Sequence, residues 1–448
     1  MWIRNLVVLG CSLALFGCGG GGGDVPAAPI AAPPANVTCS VDAQKDWLRS
    51  YMQDSYLWAG VSPNPAPQGY ATVSSYFDAL RFPGAGVVPA DRWSYISDAA
   101  SYTQFFTEGR TLGYGVSVNG LEQRLPLKVR YVEAQSPAAA VAAGVVRGDE
   151  IVSINGRLAA DLVLANDFTA LSPTKEGDTV VLVIRNASGT RSLTLTAATY
   201  ALTPVPISRV ITLPNGNKVG YLVLKDFITQ AEVPLAQAFS DFRTAGATDV
   251  ILDLRYNGGG RISTANVLAS LVAGSTQNGN VFTRLIFNGK QAAQNTTYSL
   301  STQAAGFARA VVITGMRTCS ASELIVNGLK PHLREVVTVG ATTCGKPFGF
   351  VPVTSCASTF NVVNFEAVNA LGAGQYYDGI AANCPATDDF TGQLGDPAEA
   401  LTTVANSYLQ NGVCPAIAGA GNARMLTAIR RANTVLSEPG ERRGMWAD

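Results

Sequence analysis

A buried-strand signal, Asp249 to Leu254, runs into three glycines, Gly258 to Gly260, and gives way to a helical stretch from Ala265 to Ala273. The same alternation surrounds it. Val219 to Leu224 reads as a strand and Glu232 to Ala245 as a helix; Val311 to Thr314, Ser322 to Leu329 and Val336 to Val339 then read as strand, helix and strand. A strand with an unbroken apolar run is covered on both faces. Strand–helix alternation of this kind requires an α/β layer with partly parallel strands. With 448 residues, the chain has length for two to three domains.

The first residues read as a targeting segment. An apolar run from Leu6 to Phe16 is too short to span a bilayer and ends in Leu15-Phe16-Gly17-Cys18. The string resembles a bacterial lipobox, which implies a signal peptide over 1–17 and lipidation of Cys18. The expected location is lipid-anchored and facing the periplasm, at the outer membrane in a Gram-negative cell because Gly19 follows the cysteine. An ordinary cleaved signal with a chance cysteine is the alternative. Residues 18–38, rich in Gly, Pro and Ala, form the expected tether. Lys plus Arg and Asp plus Glu both number 32, so nothing argues for a polyanion, and nucleic acid is not an expected partner.

Six cysteines remain once Cys11 and Cys18 are set aside: Cys39, Cys319, Cys344, Cys356, Cys384 and Cys414. An even set in an exported chain suggests disulfides, and six cysteines allow fifteen pairings. Our expectation among these is Cys319–Cys344, Cys356–Cys384 and Cys39–Cys414; buried free thiols are the alternative. No C-x-x-C pair exists to build a zinc knuckle.

Residues 39–107 read as a helical cap. Trp47, Leu48, Tyr51, Tyr56 and Leu57 recur at helical spacing, and Pro63, Pro65 and Pro67 stop the helix. From Gly113 the pattern turns to short β runs. Gly113-Tyr114-Gly115-Val116 opens a strand, Ser136-Pro137-Ala138 opens a helix, and Arg147-Gly148-Asp149-Glu150 precedes a strand that ends in the hairpin signal Asn155-Gly156. These residues make 108–200 look like a bacterial PDZ domain. That likeness implies peptide binding by strand addition, with Gly113, Tyr114, Gly115 and Val116 receiving the terminal carboxylate. An ordinary hairpin turn is the alternative for the two glycines.

The chain has one histidine, His332, next to Pro331, and lacks both G-x-S-x-G and H-E-x-x-H. A hydrolase built on this sequence needs another base. A lysine serves when burial disfavours its charge. Thr318-Cys319-Ser320-Ala321-Ser322-Glu323 follows a strand and opens a helix; Cys344-Gly345-Lys346 follows the next strand. If those strands are neighbours, Ser320 and Lys346 meet at the carboxyl edge of the sheet, where ligands bind in open α/β folds.

These two strings and Asp253-Leu254-Arg255-Tyr256-Asn257-Gly258-Gly259-Gly260 resemble the carboxyl-terminal processing, or tail-specific, proteases, the S41-type serine peptidases. So does the order of cap, PDZ-like β domain (108–200) and α/β catalytic domain (201–410), followed by a tail over 411–448. The resemblance implies a multidomain α/β fold with a layered sheet like those of ClpP and crotonase. It implies Ser320 as nucleophile, Lys346 as general base, Glu323 positioning the lysine, and backbone N–H groups of Ala321 and of Gly260 or Gly259 as the oxyanion hole. It implies no metal or organic cofactor, and protein or peptide substrates with free C-termini. Two features depart from the family pattern. Lys346 lies 26 positions after Ser320, one more than usual, and Cys319 stands where a small residue is more common.

Other readings stay open. Ser320 and Glu323 also fit a helix capping box, Ser322 is a second candidate nucleophile, and Lys346 also fits a solvated surface. An inactive PDZ scaffold and a carrier of small hydrophobic ligands are compatible with the same fold.

Overall fold

The computed structural model describes residues 38–120, 125–140, 144–416 and 444–447. Its central sheet has six strands in the order Ile207–Thr212, Lys218–Val223, Asp249–Asp253, Arg309–Thr314, Glu335–Gly340 and Cys384–Pro385. The first pair is antiparallel and the rest are parallel. Leu222, Val250, Leu252, Ala310 and Val312 face one layer of helices, Glu232–Thr244, Ile262–Ala273 and Ala321–Leu329. Tyr221, Ile251, Val311, Ile313, Val337 and Val339 face the helix Ala400–Asn411 on the other side. Covering both faces is what makes these strands continuously apolar.

A second, antiparallel sheet carries Thr296–Ser299, Val281–Phe287, Phe365–Val368 and Phe348–Gly349. The cap helices Val41–Ser55 and Val73–Leu80 share one core with it: Leu48, Tyr51, Tyr76 and Phe77 cluster with Phe348, Phe360 and Phe365. Trp58 and Trp93 both pack edge-on against Phe348. The cap is therefore a wall behind the segment that carries Lys346. Ser40 caps the first helix by accepting the Ala43 N–H at 3.3 Å.

Residues 110–201 have a core of their own, built on Val118, Val129, Ile151, Leu162, Val180 and Leu182. Asn155 and Gly156, at φ 47° and 80°, make the two-residue turn between Glu150–Ile154 and Arg157–Leu158. Gly115 has φ 84°, and a Cβ there would lie 1.9 Å from Ser136, so the Gly loop and the Ser-Pro helix start pack directly on one another.

Three disulfides form: Cys39–Cys356, Cys319–Cys344 and Cys384–Cys414. Two of the expected pairs, Cys356–Cys384 and Cys39–Cys414, are thereby corrected. The reason is spatial. The strand Val353–Ser355 brings Cys356 to the start of the cap, while Cys384 ends up at the sheet edge beside the turn after Ala400–Asn411. Cys18, residues 18–37 of the tether and residues 417–443 of the tail lie outside the described residues.

Candidate active site

Three neighbouring parallel strands deliver three loops to one edge. Asp249–Asp253 leads into the glycine run, Arg309–Thr314 into Ser320, and Glu335–Gly340 into Lys346; Thr314 pairs with Gly340 at the last rung. The loops are stitched together by backbone bonds. The Cys319 N–H donates to the Asn257 carbonyl at 3.1 Å, and the Cys344 N–H to the Thr318 carbonyl at 3.0 Å. The Cys319–Cys344 disulfide adds a covalent tie between the same two turns.

Ser320 sits at φ 60°, ψ −114°, a left-handed conformation that a side chain rarely adopts, on the sharp turn into Ala321–Leu329. It is fully buried, and among the described residues its hydroxyl makes no well-formed hydrogen bond. Lys346 is 2% exposed, and its Nζ lies 4.4 Å from the centre of the Phe350 ring. Ser322, the other candidate nucleophile, donates its hydroxyl to the Asn257 carbonyl at 3.1 Å.

Glu323 is the hub. One oxygen accepts the backbone N–H groups of Ser320 and Lys346, each at 2.8 Å. The other accepts the Gly345 N–H at 2.8 Å and the Thr343 hydroxyl at 2.5 Å. Burial holds this carboxyl above the ordinary glutamate range, and the bonds from Thr343, Lys346, Ser320 and Gly345 work against that shift. The lysine turn is thus held through its backbone, which the sequence reading did not foresee. The sulfurs of Cys319 and Cys344 lie close enough to Glu323 to suggest a metal site, but the disulfide removes the thiolates that would ligate one.

The two expected oxyanion glycines part ways. The Gly259 N–H donates to the Asn257 side chain at 2.8 Å and is already used. Gly260, at φ 140°, has no space for a Cβ, which would fall 2.2 Å from the Phe227 carbonyl. Phe227 bonds to the Gly259 carbonyl and the Arg261 N–H on one side. Strand alternation therefore turns the polar groups of Gly260 to the opposite edge.

Arg255 and Asn257 place the loop. Arg255 is buried and paired with Asp253 at 2.8 Å and Glu399 at 2.6 Å. Asn257 also donates to the Leu224 carbonyl at 2.9 Å. Between them, Tyr256 bonds to Asp388 and to Arg147, which comes from the turn before Glu150–Ile154. Arg147 and Tyr256 were not foreseen as a pair; nothing in their separation along the chain signals it.

The loop Gly113–Val116 lines a cavity of about 340 Å³ with Phe168, Leu171, Lys225, Gly258 and Arg317. The strand Val116–Val118 pairs with Val129–Val132. Glu133 also faces this cavity, and burial pushes its carboxyl up to about 7 against the pull of Lys225.

Comparison with known proteins agrees with this architecture. The model of Peptidase family S41 matches residues 218–357, and that of the Peptidase S41 N-terminal domain matches residues 43–95. These matches place domains of peptidase family S41 at those residues. It is 28% identical over 242 residues to a carboxyl-terminal-processing protease of Picosynechococcus sp., a match covering 54% of this chain and 55% of that one. It is 31% identical over 160 residues to the chloroplastic carboxyl-terminal-processing peptidase 2 of Arabidopsis thaliana, covering 34% of this chain and 31% of the relative. The chain spans about half the length of the Picosynechococcus relative. Its fold is similar to that of a solved Bacteroides fragilis protein assigned to the S41 proteases. There the TM-score is 0.63 at 22% identity, over 81% of this chain and 97% of the other.

Proposed function

We propose that the protein is a serine endopeptidase that cuts exported proteins near their C-termini through an acyl-enzyme. The observation that carries this reading is the single Glu323 carboxylate that gathers the Ser320 and Lys346 turns. In the proposed cycle the Ser320 hydroxyl adds to the scissile carbonyl while the Lys346 amine takes its proton. The N–H groups of Ala321 and Gly260 receive the developing oxyanion, a contribution worth on the order of 10²–10³ in rate per donor. Collapse expels the amine, which takes the proton from Lys346 and leaves an ester on Ser320. Water, deprotonated by the same lysine, then hydrolyses the ester.

Three features support these assignments. The strained φ of Ser320 presents its side chain at a strand–helix turn. Lys346 is withdrawn from water. The Ser322 hydroxyl is used elsewhere. In this reading residues 108–200 recruit the substrate's end as a PDZ domain, with the cavity at Gly113–Val116 as the receptor, and Cys18 anchors the chain by lipid at the periplasmic face. The test is cleavage of unfolded proteins with varied C-termini by the chain and by its Ser320→Ala variant, with products read by mass spectrometry. Equal cleavage by both would remove Ser320 from the mechanism.

A further inference from the structure

The groove beside the oxyanion glycine is filled by the chain itself. Gly444–Trp446 runs parallel to Gly259–Arg261, with Gly444 opposite Gly259, Met445 opposite Gly260 and Trp446 opposite Arg261. On the far side of the groove the Ala447 N–H donates to the Phe350 carbonyl at 3.2 Å, and Ala447 is buried. Phe350 is the residue whose ring lies under the Lys346 amine. The segment thus passes between the glycine proposed to receive the oxyanion and the residue stacked on the proposed base.

The opposite edge of Gly259–Arg261 is already satisfied by Phe227. The tail edge is therefore the one at which an incoming strand meets the polar groups of Gly260, in the place that Gly444–Trp446 now takes. Main-chain pairing of this kind accepts extended peptides with little regard to side chain, and selects at the positions that point into pockets. Ala447, enclosed in the core shared by the cap and the catalytic sheets, marks one such position as suited to a small apolar residue.

We infer that the cleft between Gly259–Arg261 and Phe350 is the substrate-strand site for an extended peptide with a small apolar residue at the Ala447 position, and that residues 444–447 are its resident occupant. The inference rests on the reading of this sheet edge as a peptidase site. A substrate must displace the segment before Ser320 can act, so the segment is a built-in competitor. Tethering gives such an occupant an effective concentration in the millimolar range.

The test uses a fluorescent peptide spanning residues 442–448 and two catalytically silenced chains, Ser320→Ala and Ser320→Ala lacking residues 444–448. Anisotropy should show saturable binding to the shortened chain and binding at least about tenfold weaker to the full one. The same peptide carrying Asp at the Ala447 position should bind the shortened chain at least about tenfold more weakly. Ala447→Asp in the full silenced chain, which places a charge in a buried position, should raise binding towards that of the shortened chain. Thermal unfolding verifies that each variant is folded. Equal binding to full and shortened chains, no binding to a folded shortened chain, or no gain from Ala447→Asp would overturn the inference. Because the readout needs no catalysis, it is separable from the peptidase assay: peptide binding as expected with no cleavage of any substrate would sink the enzymatic reading alone.

Discussion

The backbone N–H groups of Ser320 and Lys346, 26 positions apart in the chain, converge on one oxygen of Glu323, each at 2.8 Å. The proposed nucleophile and base are thereby placed by one carboxylate on the helix that Ser320 opens. A glutamine cannot replace it. Each Glu323 oxygen accepts two donors, so the amide NH₂ of Gln would confront two donors in either orientation. An unsatisfied buried donor costs about 1–3 kcal/mol. Glu323→Gln should therefore lower stability by roughly 2–5 kcal/mol in denaturant titration and abolish detectable cleavage. A variant with parental stability would contradict the assigned network.

The Cys319–Cys344 bond ties the same two turns covalently. Closing a loop of this size stabilises by roughly 3 kcal/mol in the chain-entropy account. The double variant Cys319→Ala, Cys344→Ala leaves the other two disulfides intact, so it isolates this bond from general reduction. We expect a lower unfolding midpoint and a fall in kcat of about tenfold or more, since small displacements of reacting groups are costly. Unchanged kcat would mean that Glu323 alone suffices to hold the two turns.

Arg147 links residues 110–201 to the glycine loop through Tyr256 and Asp388, beside Arg130, which stacks on the Tyr256 ring. Both Arg147 and Arg255 are buried, and Asp388 also lies 3.6 Å from Arg255, a partner that removal of Arg147 leaves in place. Breaking a buried pair usually costs about 3–5 kcal/mol, and the retained partner points to the lower end. Arg147→Ala should lower stability by about 3 kcal/mol and speed amide exchange at 255–260, read by mass spectrometry. Loss of stability with unchanged exchange at those residues would deny the link.

Glu133 supplies a pH dependence. Its carboxyl is raised from 4.5 to about 7, chiefly by burial, with Asp226 adding to the shift and Lys225 and Arg130 opposing it. A raised carboxyl keeps its proton in the folded state after the unfolded chain has lost it. Stability from this group is therefore full below pH 4.5 and falls as pH rises through about 7. The loss is no more than roughly 3 kcal/mol and is reduced by solvent at a half-buried site. Glu133→Gln should flatten the stability profile between pH 4.5 and 7. It should also remove any weakening of carboxylate-terminated peptide binding above pH 7, because the cavity it faces then gains no negative charge. An unchanged profile in the variant would assign the dependence elsewhere.

Much of the catalytic layer was legible because its strands are buried on both faces. Val219 to Leu224 is displaced by one residue at each end from the observed Lys218–Val223, and Asp249 to Leu254 runs one residue past the observed Asp249–Asp253. The second sheet was not legible. Thr296–Ser299 and Phe365–Val368 are four residues each, with one side half exposed, and such short runs carry little periodicity. Ser320, Lys346 and the glycine run stood out by residue type and order. Of the partners of Glu323, Ser320 and Lys346 were legible, whereas Thr343 and Gly345 were not, because they lie on a different loop whose approach depends on the strand register. The pairing of Cys39 was hidden for the same reason: the cap's entry into the shared core decides it. Nothing in Gly444–Ala447 signals a strand, since its pairing depends wholly on the groove it enters.

The measurement that bears most directly on this account is the initial rate of cleavage of an unfolded protein substrate by the chain, Ser320→Ala and Lys346→Ala, with product ends located by mass spectrometry. We expect cleavage towards the C-terminus by the parent and none above background by either variant, while all three chains unfold cooperatively. Cleavage at the same sites by a folded Ser320→Ala chain would contradict the central claim.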